Sequence, residues 1–471
     1  LIQLPRHVAR TCRAVFRRVI GRRGGLAPPV ALHSGPEGLR LCLLHPEVAV
    51  EYRTPDAGAA ETLYLPADAL AAIEGRGDDP VTLEAAGENK VLARWQDAGV
   101  PQAVEHDVPD PQRVGEFPTP PEAMAGNPAT LLRALDDAAR TTAQDSARYA
   151  LQRLQLRGGK RGEVVATDGR QLLVQGGFSF PWDGDVLVPC VTAFGCHELP
   201  SDEVVKVGKT PDHVVLRVGA WTFALRIDTA SHFPDVGAVI PRPRPDSTRW
   251  QIGPEDAAFL ARALPRLPGA DNDTSPVTVD LDGHVVLRAR AHGQGPTTEV
   301  VLACSTCTGK PARVCLDRRL LARALGLGFT EVMVVGPDAP LLCREGHRTY
   351  LWMPLGQDGA LGPCDDDLRI VSSDSAPVPP SPVIERRSTM SAPNANTPPA
   401  RNGAAAPADP PQLAAGVDQL IDEAEALRAA LAEAHARAGR LVGALKHQRR
   451  QGRALEAALQ SLRSTLQPSG R

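Results

Sequence analysis

Two rhythms of apolar residues alternate along the chain. Trp221, Phe223, Leu225 and Ile227 alternate with Thr222, Ala224, Arg226 and Asp228, the period-two signature of a strand with one buried face. Val204 to Val207 and Val214 to Val218 flank the turn residues 208–212 and predict a hairpin. The other rhythm is helical. Leu70/Ile73, Leu131/Leu132/Leu135, Phe259/Leu260/Leu264 and Leu320/Leu321/Leu325 place apolar side chains on one face of a short helix.

A start signal opens each of six such helices: Pro5, Pro66, Pro128, Pro189, Pro254 and Asp317, at intervals of 61, 62, 61, 65 and 63 residues. Proline suits a first helical position because its missing N–H would have no partner there. A hairpin also follows the Pro66 helix (Val81 to Leu83, then Val91 to Trp95) and the Asp317 helix (Glu331 to Val335, then Leu341 to Cys343). A fixed period longer than any element marks a repeat. Six helix-plus-strands units pair into three domains of about 120 residues, an α+β fold with antiparallel sheets. The boundaries expected are 1–117, 118–243 and 247–356.

Beyond residue 356 the composition changes to Pro, Ala, Ser, Asn and Asp, and residues 357–411 are expected to be a disordered linker. Residues 412–467 then carry small or apolar residues at four-three spacing from 413 to 445 and again from 455 to 466. That is a heptad seam, interrupted at Gln448 and Gly452, and it predicts a coiled-coil helix that pairs with a copy of itself. A single helix lying alone is the other reading of the same spacing.

Composition narrows the function. Of 471 residues, 52 Lys+Arg face 55 Asp+Glu, a net charge of −3. This excludes a globally basic coat for nucleic acid but not a basic face. Nine cysteines, an odd number spread thinly, argue against a disulfide framework and suit a reducing cytoplasm. No run approaches the roughly 18 apolar residues of a membrane helix. Cys304-Ser-Thr-Cys307 lacks a second pair at zinc spacing, and Gly208-Lys-Thr210 lacks the lead of a phosphate loop. Asp136-Asp137 and the acidic run at 365–367 lie on a helix face and in the linker, not in a catalytic arrangement. No enzyme, metal or cofactor is expected.

Four segments are more specific: Val165-Ala-Thr-Asp-Gly-Arg170, Ser146 to Leu151 before it, Phe233 to Pro241, and Tyr350-Leu-Trp-Met-Pro-Leu355. In order and spacing they resemble the bacterial DNA sliding clamp, the beta subunit family of DNA polymerase III, over roughly residues 1–356, with the central domain the nearest match. The resemblance implies three tandem clamp domains, each with two helices plus antiparallel sheets. Two chains would join head to tail as a homodimeric ring, with helices lining the hole and sheets outside. Such a ring encloses double-stranded DNA without reading its sequence, which fits phosphate rather than base contacts. It is non-catalytic, tethers DNA polymerase as a processivity factor and is opened by clamp-loader subunits. Cytoplasmic, nucleoid-associated localisation follows.

The resemblance places the first helix in the inner wall. Arg6, Arg10, Arg13 and Arg17 share one of its faces, opposite Val8, Cys12, Val15 and Val19, and no acid offsets them. That placement also argues against reading the Arg-rich start as a transit peptide. Arg22 or Arg23, in the loop after that helix, and Arg148 stand at matching DNA-contacting places, with Arg133 on the third helix and Arg318, Arg319 and Arg323 on the last. A peptide pocket between the second and third domains is implied at Leu151, Thr167, Gly169, Arg170, Leu172, Pro241, Leu351, Met353, Pro354 and Leu355. Ring closure is implied at Leu264-Pro-Arg-Leu267, where Arg266 would need a carboxylate partner. The alternative is a clamp-like paralogue that acts as a coiled-coil scaffold without enclosing DNA.

Overall fold

The computed structural model describes residues 1–21, 27–87, 89–108, 115–143, 150–269, 274–291, 295–364 and 368–374. The heptad segment at 412–467 and most of the expected linker lie outside the described residues.

The repeat is visible in the element order. The first unit is β1 (Ile2–Pro5), α1 (Arg6–Ile20), β2 (Val30–Gly35), β3 (Gly38–Leu44) and β4 (Val48–Thr54). The second is β5 (Glu61–Leu65), α2 (Ala69–Ile73), β6 (Pro80–Ala85), β7 (Lys90–Asp97) and β8 (Val100–Asp107). The third runs through β9 (Ala125–Asn127), α3 (Thr130–Ala139), β10 (Arg153–Thr167) and the long β11 (Gln171–Pro189). The fourth carries β12 (Val205–Lys209), β13 (His213–Val218) and β14 (Trp221–Arg226). The fifth is β15 (Thr248–Gln251), α4 (Pro254–Ala263), β16 (Pro276–Asp282), β17 (His284–Ala289) and β18 (Thr298–Leu302), followed by the short β19 (Thr306–Thr308). The sixth is β20 (Ala312–Asp317), α5 (Arg318–Gly326), β21 (Glu331–Val334), β22 (Leu341–Glu345) and β23 (Arg348–Trp352).

Local chemistry accounts for the helix starts. Asp317 caps α5 by accepting the Arg319 N–H at 2.9 Å, and α4 opens on Pro254 with Glu255 and Asp256 in its first turn. The Pro189 start is the exception. It leads only to a 3₁₀ turn, Thr192–Gly195, so among the described residues the second domain has one α-helix where two were expected. A Cβ on Gly195 would lie 2.6 Å from the carboxylate of Asp136 on α3. The turn packs on α3 there with no room for a side chain at position 195.

Within each domain the units exchange their first strands: β1 pairs β6, β5 pairs β2, β9 pairs β12, β15 pairs β21 and β20 pairs β16. Sheets also run across domains. The order β5-β2-β3-β4-β14-β13-β12-β9 joins the first domain to the second, and β10-β11-β23-β22-β21-β15-β19 joins the second to the third. The period-two expectation for β14 needs correcting here. Thr222 and Ala224 are buried along with the apolar set, because β4 covers its edge and Ala224 packs in a small cluster with Ala49, Val215 and, partly buried, Phe117 and Met124.

The chain does not become linker at residue 357. A 3₁₀ turn (Gln357–Gly359) is followed by β24 (Leu368–Val371), which adds to β18 in parallel and completes the sheet β20-β16-β17-β18-β24. Its apolar residues at alternate positions, Leu368 and Ile370, are what the compositional reading of 357–411 passed over. No helix among the described residues is long and apolar enough to cross a membrane.

Candidate nucleic-acid interface

The helices pack on one another as well as on strands. α2 packs on α1, α1 on the 3₁₀ turn at 192–195, that turn on α3, and α4 on α5. Arg323 of α5 reaches α3, donating to the Asp137 carbonyl at 2.7 Å. The helices thus form one continuous row, and α1 is its most basic member. Val8, Ala9, Cys12, Val15, Phe16 and Val19 of α1 face the core. Arg10 and Arg17 are exposed on the other side and have no ion pair or hydrogen bond among the described residues. Arg13 sits between them, held 2.5 Å from Glu74. Together with Arg76 and Glu198 they line an open cleft of about 390 Å³. Four guanidinium groups around two carboxylates leave this cleft net positive, as an anion site requires.

Other expected DNA contacts are engaged elsewhere. Arg6 donates to the Glu74 carbonyl at 3.0 Å and to Asp97 at 2.9 Å, pinning α1 to α2 and β7. Arg318 is 2% exposed and gives its N–H groups to the carbonyls of Leu267, Pro268, Ser275 and Pro276. Burial pushes its pKa down, and it cannot reach a phosphate. Its position just after Asp317 looks basic in sequence, yet it ties Leu267, Pro268, Ser275 and Pro276 to α5. Arg319 folds back on Asp317, 2.7 Å away, although it stays half exposed. Arg323 is occupied by Asp137, whose carboxyl is pushed above its usual value by burial, against the pull of Arg323 and Arg133. Arg133 is exposed, 3.8 Å from Asp137. Arg22, Arg23 and Arg148 lie outside the described residues. Sequence reasoning passes over Arg18, which is exposed at the end of α1. It stands next to the Arg10/Arg17 stripe, not on it, and only the backbone contact of its carbonyl with Thr192 locates it beside the 3₁₀ turn.

The residues expected at a peptide pocket divide into a buried set and a more accessible rim. β11 and β23 pair antiparallel with Leu172 opposite Leu351, and both are buried in a cluster with Val165, Val174, Phe233 and Met333. Thr167 is buried as well, its hydroxyl donating to the Gln171 carbonyl at 2.6 Å. These three are interdomain core and cannot serve as contact surface. The turn between β10 and β11 is tied by Asp168, which accepts the N–H groups of Arg170 and Gln171, and Gly169 adopts φ +89° there. Around that turn Leu151 lies beside Gly169, and Met353, 41% exposed, donates its N–H to the Arg170 carbonyl at 2.9 Å. Pro241, Pro354 and Leu355 are half-buried, and Arg170 is exposed. Leu151, Arg170 and Met353 thus meet at the turn, while Leu355 donates its N–H to the Cys315 carbonyl at 2.7 Å.

Leu264 and Leu267, expected at the ring-closing surface, are buried in the core of the third domain, 1% and 7% exposed. Arg266 points to solvent and donates to the Arg262 carbonyl. The 3₁₀ turn Leu264–Arg266 rotates both leucines inward.

No family model and no curated protein matches the chain. Solved structures do. The sliding clamp (DNA polymerase III subunit beta) from Pseudomonas aeruginosa bound to griselimycin superposes with a TM-score of 0.64 at 20% identity, over 75% of this chain and 99% of that one. A second structure of that subunit gives 0.63 at 19% over the same shares. The beta subunit structure from Eubacterium rectale gives 0.62 at 14%, again over 75% and 99%. The chain has the fold of bacterial sliding clamps.

Proposed function

We propose that this chain is a non-catalytic DNA sliding clamp: two copies close into a ring around double-stranded DNA and tether a DNA polymerase. The observation that carries the reading is the continuous row of helices with exposed, uncommitted Arg10 and Arg17 on its most basic member. A surface of that kind attracts phosphates without base-edge contacts, so it holds any sequence and lets the duplex slide. The fold shared with DNA polymerase III beta subunits supports the same reading. The rim of Leu151, Arg170, Pro241, Met353, Pro354 and Leu355 is proposed to take a short apolar peptide of a polymerase or clamp-loader subunit, with anchors seated against exposed apolar side chains.

Topology is the decisive measurement. The protein, loaded on nicked circular DNA, should stay bound through a high-salt wash and escape when the circle is cut. Binding that disappears in salt and is indifferent to linearisation would replace the clamp with a surface-binding scaffold.

A further inference from the structure

The repeat determines where a further copy would join. At both internal domain junctions the last strand of one unit meets the last strand of another, antiparallel, through five residue pairs: β14 on β4, with Trp221 opposite Tyr52, and β11 on β23, with Leu172 opposite Leu351. Two last strands remain, β8 and β18. β8 pairs only with β7 among the described residues and presents its other edge. By the rule that the two junctions obey, the third would join β8 of one copy to β18 of another. That edge of β18 is not open, because β24 of the same chain lies on it.

We infer that β24 is a built-in occupant of the closing edge, which a partner's β8 must displace for two copies to join. This rests on the clamp reading above. Three features make β24 exchangeable. It is a parallel addition of four residues, Leu368 to Val371 against Thr298 to Val301, and such pairing is shorter and weaker than an antiparallel five-pair junction. Its apolar side chains are little buried, with Leu368 57% and Ile370 42% exposed, so its release costs little hydrophobic free energy. Beside the ladder and a 3.6 Å ion pair of the exposed Arg369 with Glu299, it is held at its ends. Leu368 N–H donates to the Thr297 carbonyl at 2.7 Å. Ser372 Oγ donates to the buried Asp256 carboxylate at 2.5 Å and accepts from the Ala303 N–H at 2.9 Å. Asp256 keeps two other donors when Ser372 leaves, the Cys304 N–H and the Ser305 hydroxyl. Both of these bond Oδ2, and Ser372 supplies the donor to Oδ1, so the anchor sets the strength of the latch while most of the Asp256 network stays in place.

The test uses the full chain and two independent substitutions. Ser372→Ala removes the anchor, and Ile370→Pro removes a ladder donor, since bonded residues alternate along a parallel strand and Leu368 is bonded. Each should strengthen self-association, read by sedimentation across concentration, by about tenfold. Adding Gln102→Pro or Ala103→Pro, of which one carries the outward N–H of β8, should cancel the gain. Association no tighter than that of the native chain, or a gain that survives proline in β8 at both positions, overturns the inference. If those results come with native protein still retained on nicked circular DNA, the clamp reading stands without the latch. If no form is retained, the clamp reading falls first.

Discussion

Tyr52 and Trp221 face each other as register partners across the β4·β14 seam, their ring centroids 4.6 Å apart. The two side chains come from different domains, and their pairing turns two separate sheets into one of eight strands. Trp221 is 2% exposed and also meets Phe16 of α1 edge-on at 6.3 Å. The same residue therefore couples the sheet layer to the most basic helix of the row.

Trp221→Ala should lower unfolding free energy by about 3–5 kcal/mol, because a buried aromatic of this size leaves a cavity that its surroundings fill only in part. Urea denaturation gives the figure. Hydrogen exchange should show the loss of protection spreading to β4, and a loss confined to β14 would mean that the seam is not cooperative.

Next to this pair, Glu51 is buried opposite Thr222, 2.7 Å from Arg40 Nε and 2.5 Å from Arg53 Nε. Burial pushes its carboxyl up, but hydrogen bonds and charge from Arg53 and Arg40 outweigh that and hold it below its usual value. A depressed carboxyl contributes stability that is present above the unfolded-state value and lost as pH falls through the folded-state one. Glu51→Gln should cost about 1–3 kcal/mol at neutral pH, and the gap from the native chain should close in acid. Parallel denaturation series at pH 7 and pH 3 check the sign.

Arg17 and Arg318 read alike as basic helix residues but should behave oppositely. Arg10→Glu with Arg17→Glu should leave the melting temperature nearly unchanged and weaken DNA binding. The slope of log affinity against log salt should flatten by about 0.9 for each phosphate that is no longer neutralised. Arg318→Ala leaves buried carbonyls without donors and should destabilise the third domain by on the order of 3 kcal/mol. Fluorescence anisotropy with duplex DNA over a salt series, beside thermal melts, separates the two.

Substitution at the rim should act on partners alone. Met353→Lys and Leu151→Asp place charge where an apolar peptide would seat, and should weaken binding of a clamp-binding peptide by about tenfold or more, with no change in retention on circular DNA. Equal losses in both assays would assign these residues to folding.

Arg6 shows the limit of spacing as a guide to charge. It lies on the same helical face as Arg10 and Arg17, and nothing nearby in sequence reveals that Glu74 and Asp97, far along the chain, claim its guanidinium. The pocket residues divide in the same way. Leu172 and Leu351 do come together, but their burial depends on the β11·β23 register and on Phe233 arriving beneath them.

Local pattern by itself determined five of the six helix starts, the hairpins and the sixfold period, because those follow from proline geometry, capping and the alternation of apolar side chains over a few residues. Tertiary structure decided which arginines remain available, why Thr192–Gly195 stays a single turn, and where β24 goes. Each of those depends on groups distant in sequence competing for the same hydrogen bond, the same space or the same strand edge, and local periodicity carries no record of that competition.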